Sequence, residues 1–342
     1  MTASTYPRAV VYSVTGGPEV LTLIEKPLLE PGPGQVRVRI HRSGVNPTDW
    51  KSRRGGPQSA AVEPAQVPGQ DGAGVIDAVG PGVDSGRIGL RVWIWEAAWQ
   101  RSEGTTQDFA LIPEAQAVEL PPTASFDLGA GLGIPFLTAH RCLTVNEDGP
   151  NLLTPGSLTG RHVLVAGGAG AVGNAAIQLA HWAGATVITT VSTPDKAQLA
   201  AAAGADHVIH YRDTDVAAQV RRIVPKGVET IVEVSAAVNA AIDAAVIADN
   251  GAISLYSEDG GSEMSLPVRP SMVVNARWQF VLIYRAPHDA KERGVVSVSA
   301  ALADDAVRLC LPQHHFSLAH AAKAHVAVQE SAVGKVLIDV SD

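Results

Sequence analysis

One glycine-rich run constrains this chain more than any other feature. AGGAGAVG, Ala166 to Gly173, follows the apolar segment HVLVA and runs into GNAAIQLAHWAG, whose apolar residues recur at helical spacing. Gly168, Gly170 and Gly173 form G-x-G-x-x-G at a strand-to-helix turn. In such a turn the first glycine permits a tight bend and the second lets the backbone approach a pyrophosphate. The third lets helix and strand pack closely. The helix start also offers unpaired backbone N–H groups and a partial positive charge to an anion. The whole loop, Gly168, Ala169, Gly170, Ala171, Val172 and Gly173, is therefore the expected dinucleotide contact, with an ordinary glycine-rich turn as the alternative.

The surrounding chain supports that context. After Gly160, strands and helices alternate: HVLVAG, a helix stopped by Gly184, ATVITTV, and then TPDKAQLAAAAGA. In this last helix Thr193 is the expected N-cap, Pro194 the first helical residue and Gly204 the stop. Further strands are expected at HVIHY, TIVEV, AISLYS and WQFVLIY, which completes the six of a doubly wound parallel Rossmann domain. Before it, RAVVYSV, VLTLIEKP, QVRVRIHRSGV, GAGVIDAVG and RIGLRVWIW read as short strands of a mostly antiparallel domain, broken by Gly and Pro clusters. Near Ser125 the pattern changes to FDLGAGLGIPFLTAHRCL, a helix.

At 342 residues the chain is long enough for two domains, and 46% hydrophobic with 18% charged residues is the composition of a folding chain. A formal net charge of -8, with no basic block, argues against nucleic acid as a partner. The start, MTASTYPRAVVYSV, lacks a leader pattern and no later apolar run has the length of a membrane span, so a cytoplasmic location is expected. Cys142 and Cys310 are too few and too far apart for a structural zinc site.

The residue type after the second Rossmann strand discriminates between nicotinamide dinucleotides, because an acid there binds the ribose 2′-hydroxyl of NAD and repels a 2′-phosphate. Here the strand runs into Val191-Ser192-Thr193-Pro194-Asp195-Lys196, ending in hydroxyls with a lysine in the first helical turn. A cation is disfavoured there unless an anion lies beside it, which points to NADPH held by Ser192 and Lys196. A solvated Lys196, or its pairing with Asp195 or Asp206, is the competing reading. Tyr211, after the third strand, closes the adenosine side or simply packs on the domain surface.

With these blocks in place, the chain resembles the medium-chain dehydrogenase/reductase superfamily, and within it the zinc-independent quinone oxidoreductases typified by zeta-crystallin. GPEVLTLIEKPLLEPGPGQVRVRIHRSGVNPTDWKSRRG, VPGQDGAGVIDAVGPGV, GIPFLTAHRCL, VLVAGGAGAVGNAAIQLAHWAGATVI and the closing GKVLIDV carry the resemblance. It implies an α/β protein in which a GroES-like, mostly antiparallel catalytic domain accompanies the six-stranded Rossmann domain. The implied boundaries are 1–128, 129–305 for the NADPH-binding domain, and 306–342 for a return to the catalytic domain. Where zinc-dependent relatives place ligands, this chain has Asn46, Gln70 and, approximately, Ile134, so no metal is expected.

By the same resemblance Asn46, Asp49 and Thr138 line the nicotinamide end of the site, with Asn46 able to hydrogen-bond the carbonyl of an acceptor. An Asx turn at Asn46, and pairing of Asp49 with Lys51 or Arg53, compete with those roles. Tyr256, Ser257 and an expected strand from Val281 to Ile283 match segments that meet the nicotinamide carboxamide and pair two subunits, implying a homodimer. Trp93, Trp95 and Trp99 floor an acceptor pocket or belong to the core, and the basic cluster Lys51, Arg53 and Arg54 reads as a solvated loop. The implied activity is NADPH-dependent reduction of a small-molecule quinone or enone. Enoyl reduction on acyl chains, and a non-catalytic NADPH-binding role of crystallin or RNA-binding type, stay open.

Overall fold

A computed structural model describes residues 6–341; residues 1–5, part of the start read above for a leader pattern, and residue 342 lie outside the described residues. The chain divides into two compact units, residues 1–134 with 312–342, and residues 135–311. Against the boundaries 128/129 and 305/306 expected from sequence, both divisions lie six residues further on.

The first unit opens with β1 (Arg8–Val14), β2 (Thr22–Glu25) and β3 (Gln35–Val45). In β3 the alternation of apolar residues buries Val36, Val38 and Ile40 completely on one face. Then comes a helix, α1 (Pro47–Arg54), where sequence suggested a loop; PTDWKSRR has no apolar period to announce it. Pro47 opens it, and Gly55 at φ +67 ends it. Arg53 is not solvated but fully buried, with Nη2 3.4 Å from Gln329, and the Arg54 guanidinium lies 4.8 Å from the centre of the Trp50 ring. The unit continues through β4 (Ala61–Gln66), β5 (Asp71–Val79), β6 (Arg91–Ile94), β7 (Phe109–Pro113) and β8 (Ala117–Glu119) into α2 (Phe126–Leu143). Trp93 and Trp95, 0% and 2% exposed, are core.

The second unit is built on β9 (His162–Ala166), α3 (Ala171–Trp182), β10 (Thr186–Val191), α4 (Pro194–Ala202) and β11 (His207–His210). Its second half holds α5 (Val216–Ile223), β12 (Val228–Glu233), α6 (Ala236–Val246), β13 (Ile247–Leu255), α7 (Val268–Val273), β14 (Arg277–Phe280) and α8 (His288–Ala303). All six strands run parallel in the order β11-β10-β9-β12-β13-β14, the doubly wound arrangement, over a core that includes Leu164, Ile188, Ile231 and Ile253. The expected strand from Val281 to Ile283 is not there. Val281 N–H still bonds to Leu255 O at 2.7 Å, but β13 ends at Leu255, the backbone loses its partner, and Ile283–Arg285 forms a 3-10 turn. The apolar run WQFVLIY carries no Gly or Pro to mark that end.

The chain then returns to the first unit as β15 (Gln313–Ser317), α9 (Ala321–Gln329) and β16 (Lys335–Asp339). A seven-stranded sheet follows the order β15-β16-β3-β5-β6-β8 with β7 also on β3, so β16 is an interior strand. A second sheet, β2-β1-β4, completes the unit. No helix among the described residues is long and apolar enough to cross a membrane.

Candidate dinucleotide and active sites

In the second unit the phosphate loop follows β9 directly. Gly167, at φ +73, makes the tight turn, so the left-handed residue stands one position before the glycine expected to supply it. Gly168 serves packing instead: a Cβ there would lie 2.2 Å from Thr189 Oγ1, whose hydroxyl donates to Val165 O. A Cβ on Gly173 would come within 2.4 Å of Gly167 O, so the close approach of helix and loop is real. Gly170 is the N-cap of α3, and Asn174 N–H is the first to find a helical acceptor, Gly170 O at 2.8 Å. The amides of Ala171, Val172 and Gly173 are the helix donors left for a ligand, flanked by Ala169 in the turn.

β10 ends beside this loop. Ser192 and Thr193 follow it, and Thr193 Oγ1 accepts from Lys196 N–H at 3.4 Å as the N-cap of α4. The competing partners of Lys196 are not taken up. Asp206 turns its carboxylate to Val187 N–H at 2.8 Å, and the Lys196 ammonium has no ion pair among the described residues. Tyr211, 49% exposed, is tied to the same strand end through its N–H to Val191 O at 3.1 Å. Tyr256 N–H bonds to Glu233 O at 3.2 Å, so Tyr256 and Ser257 leave the sheet at the carboxyl end of β13. Val281 and Ile283 are buried, and Thr138 stands 5% exposed on the part of α2 that belongs to this unit.

The first unit gathers a different set. Asn46 follows β3 and caps α1, and its N–H donates to Asp49 Oδ2 at 2.7 Å; Gly69 N–H donates to the other oxygen at 3.2 Å. Asp49 therefore answers two backbone amides instead of Lys51 or Arg53. Burial, helped by the charge of Asp71, pushes its pKa up to about 7 against the pull of those amides and of Lys335.

The Asn46 side chain forms one half of a capping box with Asp49 at the start of α1. Its carboxamide points to Asp71 and Lys335, with Nδ2 donating to Asp71 Oδ2 at 2.7 Å and Oδ1 accepting from Lys335 Nζ at 2.9 Å. Lys335 Nζ also lies 3.7 Å from Asp71 Oδ2, and Ile134 N–H donates to Asp71 Oδ1 at 2.8 Å. Ile134 precedes Pro135, the proline inside α2, and Gly133 has no room for a side chain because its Cβ would meet Asp71 Oδ1 at 2.2 Å. Burial raises the Asp71 pKa and lowers that of Lys335, each drawn partly back by the other's charge.

Lys335 is the residue that sequence reasoning missed. Its only signal is a lysine opening the otherwise apolar strand KVLID. Gln70 accepts Ala98 N–H at 3.2 Å through Oε1.

Comparison with known proteins matches residues 32–122 to the alcohol dehydrogenase GroES-like domain and residues 171–300 to the zinc-binding dehydrogenase family. Human quinone oxidoreductase is 31% identical over 262 residues, 75% of each chain. The chain belongs to the quinone oxidoreductase family. It is thus an oxidoreductase of the medium-chain dehydrogenase/reductase superfamily. Among solved structures, an NAD-dependent alcohol dehydrogenase superposes with a TM-score of 0.85 at 29% identity, covering 98% of this chain and 100% of that one. A mycobacterial protein complexed with NADPH gives 0.79 at 27% identity over 97% and 99%. In this chain an amide, a carboxylate and an ammonium stand in mutual contact at Asn46, Asp71 and Lys335.

Proposed function

We propose that the protein is an NADPH-dependent, zinc-independent reductase of a small quinone or an activated enone. The observation that carries this reading is the Lys335 ammonium 2.9 Å from Asn46 Oδ1. A fixed positive charge in van der Waals contact with the candidate donor atom repels a divalent cation, and neither Asn46, Gln70 nor Ile134 offers a thiolate or imidazole. The donor set does not fit zinc, and no step is routed through a metal. Without a Lewis acid, alcohol oxidation loses its usual activation, whereas reduction of an electron-poor acceptor needs only positioning and a hydrogen-bond donor.

The residues of the second unit fit NADPH. The cradle around Gly173 admits no Cβ, the first-turn amides of α3 suit the pyrophosphate, and Lys196 with Ser192 and Tyr211 suits the 2′-phosphate. NADPH, when bound, supplies the hydride. Tyr256, Ser257, Val281 and Ile283 hold the carboxamide edge, and Thr138 restrains the ring or its ribose. Asn46 donates a hydrogen bond to the acceptor oxygen as negative charge develops there, and solvent supplies the proton. Asp49 anchors the Asn46 backbone.

A homodimer belongs to the same proposal, supported by the edge strand β14, whose last residue Phe280 is 66% exposed, and by Leu282 just beyond it, 56% exposed. The similar NAD-dependent alcohol dehydrogenase defines the second reading, NAD-linked alcohol oxidation. Steady-state assays of the purified protein with NADPH and NADH against quinones, enones and simple alcohols separate the two. NADPH-linked quinone or enone turnover above background is expected; turnover only of alcohols with NAD would sink the proposal.

A further inference from the structure

We propose that Lys335 is a positioning residue: together with Asp71 it locks the Asn46 carboxamide in one orientation and leaves one Nδ2–H uncommitted as the donor to the acceptor's carbonyl oxygen. The inference rests on the reduction proposed above and names residues that the reading itself does not require.

Chemistry settles which way the amide faces. An ammonium has donors only and an ionised carboxylate acceptors only. The Asn46 atom 2.9 Å from Lys335 Nζ is therefore the oxygen, and the atom 2.7 Å from Asp71 Oδ2 is the nitrogen. Rotating the amide by half a turn would set nitrogen against ammonium and oxygen against carboxylate, losing both bonds. With Oδ1 and one N–H occupied, a single N–H remains, and no other acceptor takes it among the described residues.

Its neighbours also polarise it. A cation on the amide oxygen strengthens the donor power of the nitrogen across the conjugated group, and hydrogen bonds chained in this way reinforce one another. Asp71 is itself fixed by Ile134 N–H at 2.8 Å, while Lys335 Nζ has Val45 O at 3.5 Å as its remaining neighbour. All of these groups are deeply buried: Asp71 is 0%, Asn46 3% and Lys335 7% exposed. Buried ion pairs are commonly matched or exceeded in stability by apolar residues of similar volume, so stability alone gives little reason to keep this one. Orientation of a single amide does.

The test combines turnover with a direct view of the amide. In 15N-labelled protein, the two Asn46 Nδ2 protons, assigned by their loss in Asn46→Ala, should be strongly inequivalent, with the carboxylate-bound one downfield. Duroquinone added in the presence of NADP+, where no hydride is available, should move the other. Lys335→Met should move the carboxylate-bound proton back toward an ordinary carboxamide shift and lower kcat for quinone by about 10- to 100-fold, the range of a lost oxyanion donor, with the NADPH dissociation constant changed less than about twofold. Lys335→Arg, which keeps the cation, should restore part of both.

A wild-type Asn46 pair with the shifts of an ordinary exposed carboxamide, or whose second proton ignores duroquinone, overturns the proposal even if Lys335→Met fails to fold. So does a folded Lys335→Met enzyme with unchanged kcat. If the wild type reduces no quinone or enone, the functional reading fails by itself, and the downfield shift and its response to Lys335→Met still decide the amide lock.

Discussion

Lys196 shows how much one side chain at a strand end can say. It stands in the first turn of α4, where a helix disfavours a cation, and the carboxylate of Asp206 that would have explained it is spent on Val187 N–H. A 2′-phosphate would supply the missing anion through a charge-assisted hydrogen bond. Replacing Lys196 by Ala should therefore raise the NADPH dissociation constant by about 10- to 100-fold, the equivalent of ~1.5–3 kcal/mol for a hydrogen bond to a charged group. NADH affinity should stay nearly constant; titration by fluorescence quenching measures both, and an equal loss for the two cofactors would contradict the assignment. Lys196 was legible because its anomaly is local, a charge of the wrong sign at a recognisable helix start. Lys335 was not, because nothing in the KVLID strand reveals that its first side chain reaches Asp71, far away in sequence and brought alongside only through β3.

At the scale of elements, the end of β12 and the middle of α6 hold a pair of carboxyls that sequence gave no reason to connect. Glu233 and Asp243 are each 1% exposed, and neither has a cationic partner among the described residues. Ser235 N–H and Asn239 Nδ2, the latter at 3.1 Å, donate to Glu233 Oε1. Burial, together with the charge of Glu233 and a hydrogen bond to it, holds the Asp243 pKa well above the ordinary carboxyl range. The folded state thus keeps a proton that the unfolded chain releases near pH ~4. Stability supplied by this group is complete below that pH and is lost as pH rises toward the folded pKa.

Asp243→Asn keeps a donor to Glu233 without the titration. The variant should melt above the parent at pH 8, by about 2–4 °C for each kcal/mol recovered, with a difference that shrinks toward pH 5. A difference independent of pH would show that the pair does not share a proton in the fold. The same scale explains the misplaced strand after Phe280: apolar spacing marks what is buried, but the ladder stops where β13 stops offering partners.

For the whole molecule, the consequential feature is that the final segment supplies an interior strand to a sheet begun near the N-terminus. β16 lies between β15 and β3, with Val336, Leu337 and Ile338 at 2%, 0% and 0% exposure, and it carries Lys335. A chain ending at residue 311 would leave β3 with an open edge and the core of the first unit uncovered. It should be insoluble or lose cooperative melting of that unit by circular dichroism. Full-length-like melting of the truncated chain would mean that the return strand is dispensable.

The sequence by itself determined the Rossmann unit, because glycine spacing, caps and apolar periods act over a few residues and report local backbone geometry. It also determined that Asn46, Gln70 and Ile134 offer neither thiolate nor imidazole, and it carried the odd charge at Lys196. Only the tertiary structure decided which glycine bends the phosphate loop, that the basic PTDWKSRR segment is a helix with a buried arginine, and that Asn46 is held between Asp71 and Lys335. Those facts depend on contacts between segments tens to hundreds of residues apart, and sequence periodicity carries no information about distances of that kind.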